Sequence, residues 1–348
     1  MQMDLDLTQN QRKDLRIAVI GATGMVGMNM LNVLALTGVE PAQLILVASA
    51  RSVGQKLTWK GKEYSIMDME DAIFAKPHIA LFAADNETAL LYAPRFAEIG
   101  TRVIDNSSAF RMNPNIPLVV PEVNIKDIKA EDNIIANPNC STIQLIAALA
   151  PLHELFQLKR VVISTYQAVS GTGVKALQQY KEEKAGEKAS DPAYWHPIFE
   201  NCLPQCDSFA DNGSGYTKEE MKLINETKKI LSLPNLGITA TAVRVPVLVG
   251  HSESVNVTFE KDFSLAQIRE ILAAAPSIVL MDEPQSNTYP MPIDIAGKHD
   301  VYVGRLRKDE SCPNTLNMWI VADNLLKGAA TNAVQILKYL LDNNLVMA

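Results

Sequence analysis

The sequence has little of several features that define whole classes of protein. Four cysteines in 348 residues are too few for a disulfide scaffold. The formal net charge of −7 disfavours a non-specific nucleic-acid binder, which would be basic. No apolar run approaches the roughly 20 residues that cross a bilayer. The polar segment 1–13 lacks the apolar core of a secretion signal, so we expect a cytoplasmic protein with reduced thiols and no membrane or nucleic-acid partner.

The length and the pattern of apolar residues predict two domains. A chain of 348 residues exceeds one ordinary core, and 47% hydrophobic with 20% charged residues is typical of a globular protein. Before about residue 160, short apolar strands alternate with helices, which predicts a parallel sheet covered on both faces. Later strands alternate apolar and polar residues, which indicates an α+β domain with a mixed sheet. We place the domains at 1–133, with a returning C-terminal helix at 325–348, and at 134–324.

A glycine-rich turn joins the first apolar strand, residues 16–20, to a helix predicted at 26–36. It reads Gly21-Ala22-Thr23-Gly24-Met25-Val26-Gly27. Glycine lets backbone N–H groups approach a pyrophosphate, and the helix N-terminus then faces the phosphate charge. The spacing G-x-x-G-x-x-G is looser than the usual G-x-G-x-x-G, and glycine turns also arise for steric reasons. Its position after a buried strand favours a dinucleotide site.

The end of the second strand indicates which dinucleotide binds. NAD enzymes usually place an acidic residue there for the ribose 2′-hydroxyl, whereas this chain has Arg51 and Ser52. A guanidinium can pair with a 2′-phosphate through two charge-assisted hydrogen bonds. The alternative is a solvated surface arginine. The sequence therefore favours NADP as the cofactor.

Cys140 directly precedes the apolar stretch 143–149, within the sequence Asn-Pro-Asn-Cys-Ser-Thr. This position predicts a thiol in the first turn of a buried helix, where the backbone N–H groups favour the thiolate. The thiolate is the form that attacks carbon. A buried structural cysteine is the alternative and the commoner fate of a single cysteine.

Other residues suit polar chemistry but have ordinary alternatives. His251 follows a glycine after a predicted strand and could transfer protons near neutrality, although a lone histidine is more often structural. Glu219 and Lys222 share one face of a predicted helix, and from spacing alone a surface ion pair is favoured. Arg111 follows the end of a first-domain strand, where it could hold an anion.

Taken together, these segments resemble the aspartate-semialdehyde dehydrogenase family. The resemblance extends from about residue 16 to the end of the chain, in the order of the family. The matching segments are GATGMVG (21–27), ASARSVG (48–54), DNSSAFR (105–111), NPNCST (137–142), QAVSGTG (167–173), EEMK (219–222), RVPVLVGHSES (244–254) and DNLLKGAA (323–330). The resemblance implies an α/β fold, with a Rossmann-type parallel-sheet NADP domain and an α+β catalytic and dimerisation domain with a mixed sheet.

The resemblance also implies a reaction and a role for each site residue. The reaction is the NADPH-dependent reductive dephosphorylation of L-aspartyl-4-phosphate to L-aspartate 4-semialdehyde and phosphate, on the way to lysine, diaminopimelate, threonine, methionine and isoleucine. Cys140 would form a thioester, His251 would act as acid/base, and Gln167 would position the acyl group. The remaining implied contacts are Arg244 with the substrate carboxylate, Glu219 with its amine, Arg111 and Lys222 with phosphate beside Asn139, and Gly21, Thr23, Gly24, Met25, Val26, Arg51, Ser52, Ser170, Gly171 and Asn324 with NADP.

Two other functions compete with this interpretation. An N-acetyl-γ-glutamyl-phosphate reductase shares the thioester chemistry, but its substrate amine is acylated, so a glutamate that pairs with an ammonium would be pointless there. A non-catalytic NADP-sensing protein would keep the glycine turn without needing Cys140 and His251 together. A glyceraldehyde-3-phosphate dehydrogenase is disfavoured by Arg51 and by the residues around Cys140. We expect no metal. The resemblance implies a homodimer, with a tetramer as the alternative.

Overall fold

The computed structural model describes residues 5–6, 14–40 and 42–346. The polar segment 1–13 lies outside the described residues except for residues 5 and 6. In chain order the strands are β1 (Arg16–Ile20), β2 (Gln43–Val47), β3 (Lys56–Trp59), β4 (Lys62–Met67), β5 (Ile79–Phe82), β6 (Arg102–Asp105), β7 (Ile134–Ala136), β8 (Leu158–Gln167), β9 (Gly237–Arg244), β10 (His251–Phe259), β11 (Ile278–Leu280), β12 (Val301–Lys308) and β13 (Thr315–Ala322).

The α-helices alternate with these strands in the first part of the chain and cluster between them later. They are α1 (Met25–Leu36), α2 (Met69–Phe74), α3 (Asn86–Glu98), α4 (Pro121–Asn124), α5 (Cys140–Phe156), α6 (Val174–Lys184), α7 (Lys218–Ile230), α8 (Leu265–Ala274), α9 (Pro292–Ile295) and α10 (Thr331–Asp342). A π-helical turn, Leu326–Ala330, directly precedes α10.

The chain forms two compact units. The first contains the described residues up to Asn139 together with those from Ala329 onward, and the second runs from Cys140 to Gly328. We predicted the division at 133/134 and 324/325. The observed division falls later because β7 pairs with β6 in the first sheet, and because Asn137 bonds to the side chain of Asn332 on α10.

The first unit is built on a largely parallel sheet. In its described residues the strand order is β3-β4-β2-β1-β5-β6-β7, and β3 alone runs antiparallel to its neighbour. Strands β1, β5 and β6 are fully apolar apart from their ends and are buried, as the sequence pattern predicts. The hairpin of β3 and β4 was not predicted, because its residues are mostly polar and exposed. The sheet brings the carboxyl ends of β1, β2 and β5 to one edge.

The second unit contains a mixed sheet. Its order is β11-β12-β13-β10-β8-β9 within the described chain, with β10 antiparallel to both β8 and β13, and with β8 parallel to β9. Helices α5, α7 and α8 pack on this sheet around an apolar core that includes Leu145, Leu149, Val255 and Val257. The mixed sheet agrees with the prediction from alternating residues.

His251 follows the strand β9 in the sequence, as predicted, and is itself the first residue of β10. His251 pairs with Ala322 of β13 in register, so the strand fixes its backbone. No helix in the described part of the chain is both long and apolar enough to cross a bilayer.

Candidate active site

Cys140 is the first residue of α5, as predicted. The helix behind it is buried over most of its length, and its apolar side chains anchor it on the mixed sheet. Gly328 lies against Cys140, because a Cβ added at Gly328 would be 2.9 Å from the Cys140 Cβ. Any larger side chain at position 328 would displace the thiol. The cysteine is half-buried, so a small molecule can reach it.

His251 is fully buried and is held in one tautomer. Its Nδ1 accepts a hydrogen bond from the Ala168 backbone N–H at 3.0 Å. Because this N–H needs an unprotonated Nδ1, the neutral ring carries its proton on Nε2. Burial, with a further contribution from the nearby Arg244 guanidinium, lowers the pKa of His251 to about 3. His251 is therefore a neutral N–H donor at physiological pH.

Gln167 and Arg244 lie side by side at the ends of two parallel strands. They are register partners at the carboxyl ends of β8 and β9. The Gln167 Nε2 amide lies 3.1 Å from the Ser141 hydroxyl and 3.2 Å from a Glu219 carboxylate oxygen. Arg244 donates from Nη1 to the Ala168 carbonyl at 2.7 Å. The strand ends thus bring an amide and a guanidinium beside the start of α5.

Gly171 leaves room for two of these groups. A Cβ at this position would lie 2.9 Å from Arg244 Nη1 and 3.0 Å from His251 Nε2, so both groups face the same small space. His251 Nε2 has no hydrogen-bond partner within the described residues. Asn324 accepts from the Gly250 N–H at 2.9 Å and donates to the Ser170 hydroxyl at 3.1 Å, which fixes the loops on either side.

Glu219 and Lys222 form a partly buried ion-pair network rather than an exposed surface pair. Lys222 Nζ lies 3.1 Å from Glu219 and 2.8 Å from Asp207. Burial alone would lower the pKa of Lys222, but the two carboxylates outweigh it and raise the pKa above its usual value. Both residues of the predicted pair are thus brought into the cysteine site, with Asp207 as a third member that the sequence did not indicate.

A cavity of about 570 Å³ opens above Arg244. Its lining includes Thr172, Tyr194, Cys206, Asp207 and Arg244. Burial raises the pKa of the Cys206 thiol to about 12, and Arg244, Glu219 and Cys140 also act on it electrostatically. The cavity has room for a small amino acid, and Arg244 and Asp207 place one cation and one anion on its lining.

The glycine turn in the first unit forms a second pocket of about 580 Å³. Gly21 has φ +80, and a Cβ there would collide with the Ala83 carbonyl, so only glycine fits. Gly27 packs equally closely on Gly21. Gly24 caps α1 without a side-chain hydrogen bond, so the first-turn N–H groups are available to an anion. Gly21, Thr23 and Gly24 line the pocket, at the ends of β1, β2 and β5.

The other predicted residues of the first unit lie near strand ends. Met25 and Val26 begin α1, and Arg51 and Ser52 form a 3₁₀ turn just after β2, where Arg51 is exposed. Arg111 is buried beyond the end of β6 and donates to the Asn106 carbonyl at 2.8 Å. The buried Asn139 ends the first segment of this unit.

Sequence reasoning missed several groups that shape the site. Ala168 contributes its backbone N–H to His251 and its carbonyl to Arg244. Ser141 forms a hydrogen bond with Gln167, and Asp207 forms one with Lys222. Backbone groups carry no residue signature, so only the pairing of β8, β9 and β10 could have indicated Ala168. Among the described residues no group of three or more His, Cys, Asp or Glu side chains is placed to hold a metal ion.

The fold and the two pockets define a nucleotide-binding dehydrogenase with a cysteine site in a separate unit. Residues 16–131 match the family model described as semialdehyde dehydrogenase, NAD binding domain. Residues 149–327 match the model described as semialdehyde dehydrogenase, dimerisation domain, which supports a homo-oligomer.

Individual relatives extend over almost the whole chain. The aspartate-semialdehyde dehydrogenase of Aquifex aeolicus is 48% identical over 339 residues, which cover 95% of this chain and 99% of the relative. That of Bacillus subtilis is 46% identical over 347 residues, 96% and 99% of the two chains. The crystal structure of aspartate semialdehyde dehydrogenase II complexed with ASA from Vibrio cholerae has a TM-score of 0.89 at 42% identity, with 95% and 99% covered. The chain belongs to the aspartate-semialdehyde dehydrogenase family, which confirms the resemblance predicted from its sequence.

Proposed function

We propose that this protein catalyses the reversible, NADP-dependent reductive dephosphorylation of L-aspartyl-4-phosphate to L-aspartate 4-semialdehyde and phosphate. The step supplies the biosynthesis of lysine through diaminopimelate, and of threonine, methionine and isoleucine. The observation that carries the proposal is the contact set of Gln167. Its amide reaches both Ser141, next to Cys140, and Glu219, while Arg244 lies beside it. Gln167 thus lies between the start of the cysteine helix, a carboxylate and a guanidinium.

The charged side chains match a substrate with three charged groups. Arg244 is buried and its Nε has no hydrogen-bond partner in the described chain, so it can take the substrate α-carboxylate. Glu219 accepts hydrogen bonds from Gln167 and Lys222 and can take the ammonium. Arg111 and Lys222, with Asn139, are the proposed phosphate contacts. An acylated amine has no ammonium for Glu219, which disfavours the acetylated glutamyl substrate.

The proposed chemistry proceeds through Cys140. Its thiolate adds to the acyl carbon, the C–O bond to phosphate breaks, and a thioester remains. Gln167 positions the acyl group. His251 donates from its Nε2–H to the carbonyl oxygen as negative charge develops there, which is the proton-donating half of an acid/base role. Bound NADPH supplies the hydride that reduces the thioester, after which the C–S bond breaks and the thiolate is restored.

The proposed NADP contacts start at the glycine turn of the first unit. The cradle formed by Gly21, Thr23 and Gly24 would take the pyrophosphate, because Gly21 lets the chain turn tightly against the Ala83 carbonyl just before α1. Met25 and Val26 continue the first turn of α1, and Arg51 with Ser52 would hold the 2′-phosphate. The resemblance adds Ser170, Gly171 and Asn324 to the proposed NADP contacts. We assign nucleotide binding to the first unit, predicted as 1–133 with the helix at 325–348, and catalysis with dimerisation to the second unit, predicted as 134–324.

The proposed assembly is a homodimer, with a tetramer as the alternative, and the proposed location is the cytoplasm. A dimer agrees with the matched dimerisation domain. Sedimentation of the purified chain distinguishes the two assemblies.

A substrate comparison tests the proposed function. The oxidative direction is assayed with aspartate semialdehyde, phosphate and NADP, in parallel with N-acetylglutamate semialdehyde. We expect turnover with the first substrate and about 10²-fold or more loss in kcat/KM with the second, because its acylated amine leaves Glu219 unpaired. Equal or better turnover of the acetylated substrate would favour the reductase. An absence of phosphate-dependent turnover with either substrate would favour the non-catalytic alternative.

Arg51→Ala should weaken NADP use far more than NAD use. The guanidinium follows β2, where the ribose of a bound dinucleotide lies, and only NADP carries a 2′-phosphate to pair with it. We expect KM for NADP to rise about 10- to 100-fold while KM for NAD changes little. Steady-state kinetics with both nucleotides checks this result. Arg95→Ala is the matched control, because Arg95 pairs with Glu70 on the pocket rim instead. An equal rise for both nucleotides would contradict the role of Arg51.

A further inference from the structure

Glu253 carries a buried carboxyl group that takes no part in the proposed reaction. It is fully buried on β10, two residues beyond His251 and therefore on the same face of the sheet. Its neighbours across the sheet are Thr165 on β8 and Ile320 on β13, and no salt bridge to Glu253 exists in the described residues. Burying a carboxylate without a cation is unfavourable, so the protonation state of Glu253 needs an explanation.

Gln144 on α5 is the polar side chain that acts on Glu253. It is also fully buried, and it lies one helical turn beyond Cys140, on the same helix face. Gln144 favours the charged form of Glu253 through a side-chain hydrogen-bond interaction. Neither the Glu253 oxygens nor the Gln144 amide atoms have another hydrogen-bond partner in the described chain, and the two side chains are fully buried on elements, β10 and α5, that pack against each other.

The pair separates the reacting residues from the apolar core. Along β10 the buried residues run from His251 through Glu253 to Val255 and Val257. Along α5 they run from the turn at Cys140 through Gln144 and Leu145 to Leu149. Glu253 and Gln144 are thus the layer directly beneath the catalytic pair, and they connect the strand to the helix.

We propose that Glu253 is a neutral carboxylic acid paired with Gln144, and that this pair positions His251 and Cys140 by linking β10 to α5. A protonated carboxyl group has one donor and one acceptor, as a primary amide does, so acid and amide form a complementary double hydrogen bond. A carboxylate would leave the Gln144 carbonyl without a donor. Glu253 is a positioning residue, because it acts through its neighbours and touches no reacting atom. The catalytic part of the inference rests on the proposed function.

The electrostatics of the site agree with a neutral Glu253. Burial raises the pKa of Glu253 well above its usual 4.5, and Gln144 opposes this only in part. The groups that face it are Gln144, Thr165 and Ile320, none of them charged, and the next ionisable group along its own strand is the neutral His251. The positive charge of Arg244 acts on His251 rather than on Glu253.

Infrared difference spectroscopy tests the protonation state without reference to activity. The spectrum of the wild-type protein minus that of Glu253→Gln at pH 7 should contain the C=O stretching band of a protonated carboxyl group. A carboxylate band in its place would overturn the proposal. Thermal unfolding supplies a second reading. Because the folded pKa of Glu253 is raised, unfolding of the wild type releases a proton above pH 4.5, so the stability of the wild type relative to Glu253→Gln should fall as pH rises above 4.5. A pH-independent difference in Tm between the two proteins would also overturn it.

Kinetics test the positioning role. Glu253→Gln preserves an amide pair and should keep most of the wild-type kcat, whereas Glu253→Ala and Gln144→Leu should lower kcat about 10- to 100-fold, with the KM for aspartate semialdehyde little changed. Val255→Ala is the matched control, because it opens a cavity on the same strand without removing a polar pair. It should lower Tm and leave kcat unchanged.

Three outcomes would count against the positioning role. Loss of activity in Glu253→Gln equal to that in Glu253→Ala would mean that the ionisable proton itself is needed. Wild-type kcat in Gln144→Leu would mean that the pair does not align the site, and this variant provides the test if Glu253→Ala fails to fold. If Val255→Ala lowered kcat as much as Gln144→Leu does, the loss of kcat in Gln144→Leu would be explained by general destabilisation of the fold. A wild-type protein without semialdehyde activity would refute the proposed function and leave the infrared result standing.

Discussion

Cys140→Ala is expected to abolish turnover and to leave NADP binding unchanged. Without the sulfur no thioester forms, so phosphate loss and hydride transfer cannot be separated into two steps. We expect kcat to fall by at least about 10⁴-fold, the range seen when a nucleophile is removed. The glycine cradle and Arg51 lie in the other unit, so the nucleotide should still bind. Steady-state assays and a nucleotide titration by fluorescence measure the two effects separately.

Cys312→Ala is the matched control for this variant. Cys312 is an exposed thiol, and its replacement should alter neither turnover nor nucleotide binding. Iodoacetamide should inactivate the wild type and the Cys312 variant alike, and aspartate semialdehyde should slow this inactivation. Turnover that persists in Cys140→Ala would remove the thioester from the mechanism. Loss of NADP binding in that variant would show instead that the cysteine supports the nucleotide site.

The sequence predicts the secondary structure well where the signal is local. The apolar run at residues 16–20 predicts β1 with the observed bounds, because a strand buried on both faces must be apolar throughout. The position of Cys140 at the start of a helix could likewise be predicted, because a polar turn precedes it and the apolar stretch 143–149 follows it. The hairpin β3–β4 escaped prediction because its mostly exposed residues carry no such pattern.

The roles of the site residues depend on contacts between distant segments. The spacing of Glu219 and Lys222 predicts only an ion pair on one helix. The spacing does not indicate the third member of the network, Asp207, which lies 15 residues before Lys222 and accepts a hydrogen bond from it. Glu253 lies in a polar sequence and reads as exposed. The signal that could have found it is its period-two register with Val255 and Val257, whose face is covered by α5.

The state of His251 also follows from structure alone. A histidine side chain is usually expected to gain and lose a proton near neutral pH. Here the Ala168 N–H donates to Nδ1, and both burial and the nearby charge of Arg244 disfavour the protonated ring. The geometry therefore assigns it the role of a neutral donor, which supplies a hydrogen bond to the developing oxyanion without the cost of a charged ring. Its Nε2 makes no competing hydrogen bond in the described chain and faces the space beside Gly171.

His251→Ala should therefore lower kcat/KM by about 10²- to 10⁴-fold, and His251→Gln, which retains an N–H donor, should recover part of that loss. The sharper measurement is the ¹⁵N NMR spectrum of the histidine ring in the wild-type protein. Because the pKa is lowered to about 3, the spectrum should show a single neutral tautomer with Nε2 protonated throughout pH 5–8. The unfolded chain takes up this proton near pH 6.5, well above the folded pKa, so His251 should also reduce the stability of the wild type as pH falls below 6.5. His251→Gln should remove that component of the acid-induced loss. Titration of the ring between pH 6 and 7 in the folded enzyme would rule out the neutral donor and return His251 to conventional acid/base exchange.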